Sequence, residues 1–330
     1  MPGPANQAWE RIERPIVQAG MGGGLAGGAL AGAVSAAGGL GTVGMFPPRQ
    51  LAEELAVARR LAKGNPVAVN LLVPFLKQAH LTVCVQGGAA LVVLHGGWPA
   101  EPITRLQAAG IPVFATVGTV TQARSAVAAG ATGLVVQGEE AGGHLVGVER
   151  SELAVEKVAV AVPGVPLFGA GGVAEAEDLT RLQAAGARAA VAGTRFLLTE
   201  ECAAHPLYKA RVMEAQRTVR TTLFGFGWPL AHRVVENEAV RRWCGPDGRE
   251  RELLYHLNRR SAPLARILPL GAAPLLARLQ RPSIPLYSPA PPLASMPTRC
   301  VEATALYAGE TAPRLNEVLP AAEAVERLCP

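Results

Sequence analysis

Aromatic residues make up only 5% of this 330-residue chain and charged residues only 17%, beside 49% hydrophobic residues. A disordered polyelectrolyte is therefore excluded, and the core must be filled by Ala, Val, Leu and Gly. The five cysteines, Cys84, Cys202, Cys244, Cys300 and Cys329, form no CxxC pair and no Cys/His cluster. Neither a zinc site nor a disulfide framework is expected, and free thiols suit a reducing cytoplasm. Met1 to Glu10 lacks a basic stretch followed by an apolar run, so a signal peptide is not expected. The apolar stretch from Gly20 to Met45 is interrupted repeatedly by glycine and reads as turn, helix and strand; no membrane partner is expected. The net charge is +5, yet no Lys/Arg run interleaves with aromatics, so no nucleic-acid partner is expected. A mild positive field also suits a phosphorylated cofactor or a small anionic substrate. Paired carboxylates, a nucleophile elbow and a metal triad are missing as well, which points from hydrolysis toward a cofactor that does the hard chemistry.

What the chain does contain is a repeated junction. Ala36-Ala37-Gly38, Ala108-Ala109-Gly110, Ala128-Ala129-Gly130 and Ala184-Ala185-Gly186 each end an Ala/Leu-rich helical pattern and precede a short apolar run. Glycine stops a helix by taking the left-handed conformation, and small alanines let that helix lie close on a sheet. Eight apolar runs, near 15–20, 40–45, 67–72, 90–95, 112–117, 133–137, 166–170 and 189–193, alternate with amphipathic segments. That count and size predict a (β/α)₈ TIM barrel over residues 12–216, with an open doubly wound sheet as the rival. Residues 217–260, rich in Arg, Glu and Trp, read as a helical lid or substrate segment. Residues 261–330 read as a Pro-rich tail packing on the barrel or on a partner subunit, so a homodimer is among the expectations.

In such a barrel the chemistry gathers at the C-terminal strand ends. Gly22, Gly24 and Gly27 satisfy GxGxxG, but no acidic residue ends the second strand, so a dinucleotide site is not inferred. These glycines, with Ala19, Gly20 and Met21, read instead as room for a flat ligand. Asn70 ends the third strand and His95 the fourth. The sixth runs Gln137-Gly138-Glu139-Glu140-Ala141-Gly142-Gly143-His144, with Glu140 read as a loop anchor. Ala170-Gly171-Gly172 and Gly193-Thr194 end the seventh and eighth, where backbone N–H groups can bind phosphate. His144, freed by its flanking glycines, can move a proton near neutrality. His95 is either a substrate ligand or a packed core histidine.

At these residues the chain resembles the nitronate monooxygenase family, formerly 2-nitropropane dioxygenases. Glu140-Ala141-Gly142-Gly143-His144 carries the resemblance, backed by Gly169-Ala170-Gly171-Gly172-Val173 and Gly193-Thr194-Arg195-Phe196. The resemblance implies FMN, its phosphate on Gly171, Gly172, Gly193 and Thr194 and its ring near Met21, Asn70 and Gln137. It implies further cofactor contacts from Ala19, Gly20, Gly138, Gly142, Gly143 and Ala170, and substrate contacts from His95 and His144. The implied activity is oxidation of alkyl nitronates with O₂ to a carbonyl compound and nitrite, with His144 as base or positioning group. Flavin-dependent enoyl-acyl-carrier-protein reductases share the same stretch, so an NAD(P)H-dependent reductase of thioesters or quinones is an alternative. A non-catalytic flavin-binding protein is another.

Overall fold

A computed structural model describes residues 8–266 and 270–330; residues 1–7, part of the stretch read as lacking a signal peptide, lie outside it. Eight parallel strands form the barrel: β1 Ile16–Gln18, β2 Gly41–Val43, β3 Val67–Leu72, β4 Leu91–His95, β5 Val113–Val117, β6 Gly133–Gln137, β8 Leu167–Ala170 and β9 Ala189–Ala192. The ladder runs β1-β9-β8-β6-β5-β4-β3-β2, and the ends close through Gln18 N–H to the Leu40 carbonyl and Leu40 N–H to the Ile16 carbonyl. A closed TIM barrel results, and the open sheet is set aside. Helices α1 Gly28–Ala36, α2 Pro48–Leu61, α3 Gln78–Gln86, α4 Ala100–Ala108, α5 Val120–Ala128, α6 Ser151–Ala161, α7 Ala176–Ala184 and α8 Thr194–Leu197 alternate with the strands, and α9 Pro206–Met213 follows them.

The repeated junctions explain the regularity. Gly38, Gly110, Gly130 and Gly186 all have positive φ, between 77° and 107°, so each ends its helix in the conformation that glycine adopts without strain. Each helix then buries one stripe, as α2 does with Leu51, Leu55 and Ala58 at i, i+4 and i+7. Inside the barrel, Val17, Leu40, Leu91, Val93, Val135 and Val191 surround Phe114 and Phe168, whose ring centroids lie 4.6 Å apart. In a chain poor in aromatics these two rings fill the barrel axis, each burial stabilising by about 1.5–3 kcal/mol.

Residues 217–260 are not mainly helical. Two short strands, β10 Val219–Thr221 and β11 His232–Val234, form an antiparallel sheet with the two-residue β7 Gly143–His144, before α10 Glu238–Trp243 and α11 Glu252–Ser261. The β-branched run Thr218-Val219-Arg220-Thr221-Thr222 favours extended chain over helix. The segment 261–330 holds α12 Ala273–Leu279 and α13 Ala321–Leu328 among 3₁₀ turns. Helix α13 buries Ala321, Ala324, Val325 and Leu328 in the same apolar cluster as the outer barrel wall. Buried Arg195 holds this tail by donating to the carbonyls of Leu198 at 2.8 Å and Glu317 at 2.6 Å. Among the described residues no helix is long and apolar enough to cross a membrane.

Candidate active site

The strand ends open into one cleft. Of the residues expected at the ligand, all line it except Gly24, Gly27 and Gly138, and so do His95 and His144; Gly24 packs on Leu293 and Gly27 on Glu54 instead. Gly138 serves another purpose: a Cβ there would collide with the backbone N of Ser151 and the Glu140 carboxylate. Its glycine lets the end of β6 meet the start of α6. Glu140 anchors that junction, fully buried and accepting from Ser151 N–H at 2.9 Å and Ser151 Oγ at 2.7 Å. Its charge is thus committed to the scaffold.

One end of the cleft is built from backbone. Gly171 and Gly172 turn with φ of 109° and 72°, conformations that a side chain would strain. Arg181 Nη2 donates to the Gly172 carbonyl at 3.3 Å, and the Ser151 hydroxyl proton is shared between Glu140 and the Gly171 carbonyl, 3.0 Å away, which fixes the turn. The tail crosses here: a Cβ on Gly142 would lie 2.6 Å from the Gly309 nitrogen, and one on Gly309 only 2.8 Å from the Glu140 carbonyl. This double-glycine crossing delivers the Gly309 N–H to Thr194 Oγ1 at 2.9 Å, leaving the Thr194 hydroxyl proton available to a ligand. Among the described lining residues there is no Lys or Arg. A phosphate would be held by amides and a hydroxyl rather than by a cation.

Flat walls continue from this end. Asn70 Nδ2 donates to the Gly20 carbonyl at 3.2 Å, and a Cβ on Gly20 would strike the Asn70 side chain. Close approach of the first and third strand ends therefore requires glycine at 20. Gln137 has both amide ends engaged, donating to the His144 carbonyl at 3.1 Å and accepting from Val146 N–H at 2.8 Å. It lines the cleft while holding the loop that carries His144.

The other end is a nest of rings. β7 pairs with β11 so that His144 faces His232, and the Trp228 ring stacks on His144 at 3.7 Å and 15°. Tyr307 and His232 stand 5.5 and 5.2 Å from the same imidazole, and His95 meets Trp228 edge-on at 5.9 Å. Burial, with His232 and His95 opposite, holds the His144 imidazole well below its ordinary 6.5. Burial brings His95 and His232 down to about 4. The tautomer of His232 is fixed by its partners: Nε2 accepts from Phe224 N–H at 3.3 Å, so Nδ1 donates to the Leu230 carbonyl at 3.0 Å. His144 and His95 differ, because each has a buried Nε2 with no hydrogen-bond partner. A buried imidazole nitrogen without a partner costs free energy unless a ligand satisfies it.

A family profile described as nitronate monooxygenase matches residues 5–81 and 75–330. The chain belongs to the nitronate monooxygenase family. Nitroalkane oxidase from Streptomyces ansochromogenes matches with a TM-score of 0.76 and 27% identity, covering 97% of this chain and 96% of that one. FabK from Thermotoga maritima matches with a TM-score of 0.73 and 26% identity, covering 98% and 93%. A (3aS,4S,5R,7aS)-5-hydroxy-7a-methyl-1-oxo-octahydro-1H-indene-4-carboxyl-CoA dehydrogenase of Mycobacterium tuberculosis is 34% identical over 239 residues, 70% of this chain. The chain spans 65% of that relative's length. This member of the nitronate monooxygenase family folds as a TIM barrel.

The sequence alone assigned no role to Trp228, His232, Tyr307 or Gly309. The Gly309 crossing had one available signal, a lone glycine inside the tail run Tyr307-Ala308-Gly309-Glu310-Thr311. Nothing local marked His232 as the residue opposite His144.

Proposed function

We propose that this chain binds FMN and oxidises small alkyl nitronates, or the nitroalkanes from which they derive, with O₂ to a carbonyl compound and nitrite. The observation that carries this reading is the unpartnered, buried Nε2 of His144 in the same cleft as the glycine turns. Gly171, Gly172, Gly193 and Thr194 would hold the phosphate, and Met21 and Asn70 would flank the ring system. When bound, the flavin supplies an acceptor for the substrate's electrons and a donor to O₂.

Everything else falls to the chain's own residues. The stacked Trp228 fixes the plane of the His144 imidazole, and Gln137 fixes its backbone. Burial keeps that imidazole neutral. A neutral imidazole with an open Nε2 can accept the α-proton of a nitroalkane; in the other tautomer it donates an N–H to a nitronate oxygen. His95 Nε2, also unpartnered, offers a second polar contact for the nitro group. Both nitrogens are shielded from solvent, which strengthens both contacts.

A second reading rests on the Mycobacterium tuberculosis relative, whose name records a carboxyl-CoA substrate. Under it the cleft oxidises or reduces a thioester, with NAD(P)H as a candidate reductant. The test is a pair of aerobic assays on the FMN-loaded protein. Nitrite and acetaldehyde accumulating from ethylnitronate, without nicotinamide, supports the first reading. NAD(P)H consumption driven by an enoyl thioester, with no nitrite from ethylnitronate, moves the assignment to the second.

A further inference from the structure

The chain's positive charge is concentrated. Between residues 249 and 286 there are seven arginines against two glutamates, a surplus of five that equals the net charge of the whole chain. Outside that segment the remaining 24 basic residues are balanced by 24 acidic ones. The same segment holds eight of the fourteen large apolar side chains that are exposed among the described residues, including Leu253, Leu257, Leu275, Leu279, Ile284 and Leu286. A solvated helix face explains arginines but not leucines that stand 79%, 60% and 64% exposed at 253, 275 and 279.

These side chains belong to elements gathered around one loop. Helix α11 docks by its Leu254, Asn258 and Ser261 stripe: Asn258 donates to the Thr222 carbonyl at 2.8 Å, and Ser261 Oγ accepts from Gly227 N–H at 2.8 Å. Leu253, Leu257 and Arg260, at i, i+4 and i+7, occupy a different face and are exposed. Helix α12 turns Ala273 and Leu276 into the cleft beside Phe226 and Gly227 while Leu275 and Leu279 stay exposed. The Tyr287 carbonyl accepts from Phe226 N–H at 3.1 Å, which brings the 281–286 stretch to the same rim. All three elements therefore adjoin the 222–228 stretch, of which Phe226, Gly227 and Trp228 line the cleft.

We infer that the exposed side chains of residues 249–264 and 271–286 form a docking surface for an anionic phospholipid bilayer, placing this wall of the cleft beside the membrane interface. Exposed leucines flanked by arginines on short amphipathic helices match what an interfacial element requires: apolar side chains to enter the acyl boundary and cations to pair with lipid phosphates. The opposite charge of the lipid selects this occupant over a neutral one. No spanning helix is needed, and none is present among the described residues. An apolar substrate dissolved in the bilayer would enter past Ala273 and Leu276 without crossing water. The inference stands whichever substrate the cleft takes.

The test is co-sedimentation of the flavin-loaded protein with vesicles of phosphatidylcholine alone and with added phosphatidylglycerol. Binding is expected only with the anionic lipid. Arg249→Gln with Arg260→Gln should weaken it about 25-fold, roughly fivefold per charge. Leu253→Ser with Leu275→Ser should weaken it also, with the thermal melt unchanged because both positions are exposed. Absence of binding to anionic vesicles at low salt overturns the inference, as does binding that survives the leucine substitutions, since that is adsorption by charge alone. A doubled mass in light scattering that the leucine variant abolishes, without vesicle binding, would make the face a contact between copies and overturn it as well.

Discussion

The two ends of the cleft are made of different materials. The end at Gly171, Gly172, Gly193 and Thr194 is backbone, shaped by positive φ and by a crossing of Gly142 with Gly309. The end at His144 is side chain, three depressed imidazoles packed with Trp228 and Tyr307. The first is intolerant of volume and nearly indifferent to pH. The second disfavours charge, because burial depresses all three imidazoles. The proposed function needs both, one to hold a cofactor of fixed shape and one to handle a proton whose position changes during turnover.

Substitutions that separate the two ends sharpen that contrast. The largest effect is expected from His144→Ala, a loss of about 10²–10⁴ in kcat/KM on a neutral nitroalkane. The loss on the preformed nitronate should be smaller, and flavin content should be unchanged; steady-state kinetics on both substrates checks this. Next comes acid sensitivity. His95 and His232 titrate near 4 when folded but at 6.5 when unfolded, so between those values the unfolded chain binds more protons. Stability is then full above pH 6.5 and falls as pH drops toward 4, by about 3 kcal/mol per histidine over the window. Denaturant melts at several pH values measure it, and His95→Asn should flatten the slope. A pH-independent melt would mean that the ring end is solvated.

At the backbone end, Gly171→Val forces a side chain into φ of 109°, at about 1–3 kcal/mol of strain. Flavin content of the purified variant should drop while His144 stays in place; full flavin content would show that this turn does not hold the phosphate. The smallest effect is expected from Tyr307→Phe, which removes the 2.9 Å bond from the Tyr307 hydroxyl to the Pro289 carbonyl. It should cost about 1 kcal/mol of stability by denaturant melt, with flavin content and the His144-dependent activity retained.

The barrel was legible because its signals are local and repeated. A glycine that ends a helix and an apolar run that follows it are adjacent in sequence, so all eight strands could be placed within a few residues. The glycine end was legible for the same reason, since its residues lie at strand ends. The packing of Gly138 was not legible, because a glycine between Gln137 and Glu140 carries no mark of what it avoids, here the backbone of Ser151. The ring end was half legible. His144 stood in a glycine-rich loop, but Trp228, His232 and Tyr307 reach it through β11 and the tail, contacts between distant parts of the chain that no local pattern encodes. Strands of two and three residues such as β7 and β10 leave almost no periodicity, so 217–260 read as helix from its Arg and Glu content.

The most direct test of the account is anaerobic mixing of the FMN-loaded protein with ethylnitronate while the flavin absorbance is recorded. Rapid loss of the oxidised flavin spectrum without any nicotinamide is expected. A spectrum that stays oxidised with ethylnitronate, yet bleaches on adding NADH or NADPH, would contradict it.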